Sequence, residues 1–61
     1  MFRLATNEDL ETNRLVIPCA NLQTANYFVR EGNSGNLKDV EWESFPTPGK
    51  FFVINDEHLD N

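Results

Sequence analysis

The sequence predicts an α+β fold, a small β-β-α-β-β domain in which an antiparallel or mixed sheet carries one helix on one face. Three observations predict it. The clearest period near 3.6 is a stripe of Leu22, Ala25, Phe28 and Val29 in mid-chain, the mark of an amphipathic helix. On either side stand short runs that alternate or are rich in β-branched and aromatic residues, at 2–5, 15–19, 37–45 and 51–55, the mark of strands. Two strands before the helix and two after it let a pair of hairpins lie side by side in one sheet, with the strand order left open.

Residues 2–5 alternate weakly and open the sheet. The polar stretch 6–13 connects to a second strand at 15–19, where Pro18 marks a sheet edge or a strand end because proline has no N–H to donate. Asn21 suits the N-cap of the helix, and Gly32, after Arg30 and Glu31, suits the left-handed residue that closes it. A helix of roughly three turns is unstable alone and must dock on the sheet. Beyond the loop 33–36, Val40 and Trp42 alternate with Asp39, Glu41 and Glu43, which gives a strand with one apolar and one wet side. Pro48-Gly49 fits the central pair of a type II turn, so residues 45 and 50 begin the arms of a hairpin whose second arm is 51–55. The domain then spans 1–55, and 56–61 form a polar C-terminal tail. The expected core is Leu4, Leu15, Ile17, Leu22, Ala25, Phe28, Val29, Val40, Trp42, Phe51 and Val53.

Size and composition narrow the function classes. A chain of 61 residues has room for one core and buries only about 60% of its unfolded surface, so disulfides, a metal or a partner subunit are the usual supports. Cys19 is the sole cysteine, which rules out an internal disulfide, and with the single His58 it falls short of a tetrahedral zinc cage. Within the apolar stretch 15–20 its thiol reads as a small buried hydrophobe. Ten acids against five bases leave a net charge of −5. Phosphate backbones and anionic lipids repel such a chain, so direct nucleic-acid or membrane binding is not expected. The start of the chain has no signal-peptide pattern, and the longest apolar run, 51–54, is far short of the ~20 residues that cross a bilayer. A cytoplasmic location is the expectation. The size, with Met1 at the start, also fits small accessory proteins of viruses or mobile elements.

Successive strand residues face opposite sides of a sheet, so Phe51-Phe52-Val53-Ile54 and Leu15-Val16-Ile17 place apolar groups on both. With Phe51 and Val53 beneath the helix, Val16, Phe52 and Ile54 point away from it. Left open, they form the kind of apolar patch that marks an interface, and covering each contributes ~1.5–3 kcal/mol. A second chain is the expected cover, most simply in a homodimer. The competing arrangement has the N-terminal strand or the segment 6–13 fold across that face.

No nucleophile stands beside a base in the sequence, the one histidine lies in the polar tail, and Gly32, Gly35 and Gly49 are too dispersed for a phosphate loop. Catalysis, a cofactor and a metal site are not expected; Asp56, Glu57, His58 and Asp60 in the tail could at most attract a cation weakly. The reading is a small acidic, non-catalytic interaction module that binds and modulates a larger protein, as an accessory inhibitor does, through Val16, Phe52 and Ile54. The alternative places function on Asp39, Glu41 and Glu43. At every second strand position they stand ~6.6 Å apart, similar to phosphates along a nucleic-acid strand, as suits a mimic that blocks the groove of a DNA- or RNA-binding enzyme.

Overall fold

A computed structural model describes residues 1–58 and gives a small α+β domain. One antiparallel sheet of three strands has the order β1-β3-β2, with β1 at Phe2–Leu4, β2 at Ile17–Cys19 and β3 at Phe51–Asn55. The central strand pairs Leu4 with Val53 on one side and Ile17 with Val53 on the other. A short helix, α1 at Asn7–Glu11, lies between β1 and β2, and α2 at Leu22–Asn33 lies between β2 and β3. A single 3-10 turn at Asp56–His58 follows β3. The remainder of the expected tail, 59–61, lies outside the described residues.

The helix α2 forms where its apolar stripe predicts. Asn21 caps it, its side chain accepting from the Thr24 N–H at 2.8 Å. Gly32 does not close the helix but lies inside it, with Ser34 at the C-cap. Its bare Cα lets the Phe2 ring lie directly against the last turn, since a methyl group there would overlap that ring. Ile17, Cys19, Ala25 and Val53 make the core beneath α2, with Phe2, Phe28, Val29, Leu37, Val40 and Trp42 packed around it.

Two expected elements differ. Residues 37–45 do not form a strand; a single bridge between Val16 and Glu43 is all the pairing they make. The reason lies on the facing edge. Val16 donates to the Glu43 carbonyl at 2.8 Å and accepts from the Glu43 N–H at 2.7 Å. The next outward residue of β2 is Pro18, which has no N–H, so the ladder stops. Asp39, at φ +43°, bends the segment away from an extended path. Its alternation still serves packing, because Val40 and Trp42 turn inward while Asp39 and Glu41 stay exposed. The turn at Pro48-Gly49 forms, with Gly49 at φ +89°, but only its second arm is a strand.

Leu4, Leu15, Leu22 and Phe51, placed in the core by their pattern, are 41–46% exposed. Strands of three to five residues make a small sheet, and one helix covers only its middle, so apolar groups at the perimeter remain half wet.

Both free edges of the sheet are blunted. On β1 the Asn33 side chain stands in for a neighbouring strand: its Oδ1 accepts from the Phe2 N–H at 2.7 Å and its Nδ2 donates to the Phe2 carbonyl at 3.0 Å. On β2 the Glu43 bridge and Pro18 do the same work. Such edges discourage pairing with another chain.

Candidate functional site

The second face of the sheet does not await a partner. Val16 is 0%, Phe52 6% and Ile54 0% exposed within the single chain, in a cluster of their own with Ala5 and Leu10 packed on it. The partition into two faces is as the alternation requires; the expectation that another chain shelters the second one is corrected. The chain supplies cover itself, through Leu10 of α1 in the segment 6–13 and through Ala5 just before it. Val16, Phe52 and Ile54 are core residues and offer no open surface to a second copy.

A helix of five residues has no stability of its own, so local groups must hold α1 in place. Thr6 and Asp9 form a capping box: the Asp9 N–H donates to Thr6 Oγ1 at 3.3 Å, and the Thr6 N–H donates to Asp9 Oδ2 at 2.8 Å. At the other end Asn13 takes the left-handed conformation, φ +55°, in which asparagine is readily tolerated. Asp9 is also the anchor to the sheet. Only 1% exposed, it accepts from Arg3 Nη1 at 2.7 Å and Arg14 Nη1 at 2.7 Å. Arg3 comes from β1 and Arg14 from the approach to β2, so one carboxylate ties the helix to both outer strands. The Arg3 hydrogen bond is the main cause holding the Asp9 carboxyl far below the ordinary carboxylate range. Burial pushes the other way, and the bonds from Thr6 and Arg14 add to the lowering. Arg3 in turn is held more firmly charged, by Asp9 first and then by Asp56, to which its Nε donates at 3.0 Å.

Placing α1 here creates a surface feature. Between α1 and the loop before β3 runs an open groove of about 350 Å³. It is lined by Leu10 and Glu11 of α1, by Phe45, Pro46 and Pro48 of the loop, and by Phe52 of β3. The lining is mainly apolar, and Phe45 within it is 77% exposed, the most exposed large apolar side chain among the described residues. Glu11 is the charged residue of the lining. Glu43 stands two residues before Phe45. Paired residues of an antiparallel bridge project to the same side, so Glu43 shares the face of Val16; its Oε2 is shielded from water and has no hydrogen-bond partner.

The acids singled out from the sequence are not brought together in a regular row. Asp39 and Glu41 are exposed and Glu43 half-buried, on an irregular segment without the even strand spacing that mimicry of a phosphate backbone needs. Cys19 sits in the core under α2, 3% exposed, its thiol donating to the Ile17 carbonyl at 3.6 Å, and burial pushes its pKa up. Among the described residues no group of three His, Cys, Asp or Glu is placed to hold a metal ion. Of the tail groups that could attract a cation, Asp60 lies outside the described residues and Asp56 is engaged by Arg3. No described helix is long and apolar enough to cross a membrane.

Comparison with known proteins found no matching family model, no similar curated protein and no similar solved structure.

The sequence reading missed Leu10, Phe45 and the Asp9 anchor. A signal for α1 is present: Thr6-Asn7-Glu8-Asp9 followed by Leu10 is the Ser/Thr-x-x-Asp/Glu pattern of a capping box.

Proposed function

We propose that this chain is a small acidic, non-catalytic interaction module that binds and modulates a larger protein through the groove between α1 and the 45–48 loop. The observation that supports the reading is Phe45. A phenylalanine left 77% in water at an apolar groove gains little burial from the fold of its own chain, and aromatic side chains of this kind anchor protein interfaces. The groove is within the size range that seats a ligand group or one large side chain. Blunted sheet edges leave side-chain surfaces, not strand addition, as the means of contact.

The test compares two exposed aromatic positions on opposite sides of the molecule. Proteins captured from a cell extract by the wild-type chain are compared with those captured by Phe45→Asp and by Tyr27→Asp, the latter on the outer side of α2 where the ring lies beside Arg30. The expected result is a specific protein retained by wild type and Tyr27→Asp and lost by Phe45→Asp, with all three chains folded by circular dichroism. Retention by Phe45→Asp contradicts the assignment.

A further inference from the structure

The charge around the groove specifies the chemistry of what fills it. We infer that the occupant is a short basic segment of another protein, carrying one large apolar side chain flanked by lysine or arginine; this rests on the groove being the binding surface. The apolar anchor follows from the lining residues Leu10, Phe45 and Phe52, which offer contact area but few polar partners. The flanking cations follow from what surrounds them. Glu11 lies in the lining itself. A net charge of −5 also steers a basic segment toward the molecule and repels a second copy of it.

Selection of random peptides displayed on phage against the immobilised full chain tests this. The expected winners carry an aromatic residue or leucine with lysine or arginine within a few positions. Their affinity is expected to fall about 30-fold with Phe45→Asp, the size of an interface hot spot. It should fall about fivefold with Glu11→Lys, as for an exposed charge pair. Repeating the selection on Glu11→Lys should shift the winners away from basic flanks. Apolar winners that depend on Phe45 but show no basic flank and no response to Glu11→Lys leave the groove as the binding surface and overturn the basic occupant. Winners that bind Phe45→Asp as tightly as wild type overturn both. Self-association in sedimentation that disappears with Phe45→Asp names a second copy as the occupant. Peptide affinity that rises on deleting residues 59–61 names the chain's own C-terminus. Either result overturns the inference.

Discussion

A carboxylate removed from water is costly unless donors surround it, and Asp9 is surrounded by the guanidinium groups of Arg3 and Arg14 and by both donors of Thr6. Asp9→Ala leaves the two arginines without their shared counter-ion. Their side chains are 36% and 32% exposed and can rehydrate, so the expected loss is about 3 kcal/mol, the low end for breaking a buried pair. For a domain of this size, with total stability of order 3–9 kcal/mol, that is close to unfolding, and urea titration measures it. Asp9 also gives a pH dependence of known sign. Its folded pKa is depressed, so its contribution is complete above the unfolded value of about 3.9 and drains away as pH falls below that. The urea midpoint of Asp9→Asn should therefore change less than that of wild type between neutral pH and about pH 2. Gly32 makes a second residue-scale case. Alanine is the better helix former by about 1 kcal/mol, yet a methyl group overlaps the Phe2 ring, and overpacking costs about 1–3 kcal/mol. Gly32→Ala is expected to lower the melting temperature, where helix propensity alone predicts a rise.

Among the elements, β1 and β2 show how a sheet this small keeps its edges from pairing with other chains. Asn33 offers Phe2 the donor and acceptor of a neighbouring peptide group. Replacing it by alanine is expected to cost about 0.5–1.5 kcal/mol and, by reopening the β1 edge, to raise the tendency to self-associate, seen as concentration-dependent light scattering. The elements also show what a sequence displays and what it hides. The stripe Leu22, Ala25, Phe28 and Val29 and the cap Asn21 made α2 legible, because period and cap agree. The alternation from Leu37 to Phe45 was legible too, but it reports only which side chains face inward. Whether such a segment pairs depends on the edge opposite, and there Pro18 withholds a donor. The helix α1 was hidden by its polarity: of its five residues only Leu10 is apolar, and the one that is buried is Asp9, one of three acids.

At the scale of the whole molecule, period-two alternation was sufficient to show that the sheet has two apolar faces, with Val16, Phe52 and Ile54 on the one away from α2. It was silent on what covers that face, because cover is a long-range property and the segment that holds Leu10 there is mostly polar. Once α1 closes over the cluster, the outward-looking chemistry moves to the margin of α1, where Phe45 and Glu11 border the groove. The proposed interaction surface and the stability of the domain therefore depend on the same seat for Leu10. Nuclear Overhauser contacts from the Leu10 methyl groups in a dilute, isotope-labelled sample test that seat most directly. Contacts to the side chains of the Val16, Phe52 and Ile54 cluster, arising within one molecule, are the expected result. Their absence, or their appearance only between differently labelled chains, contradicts it.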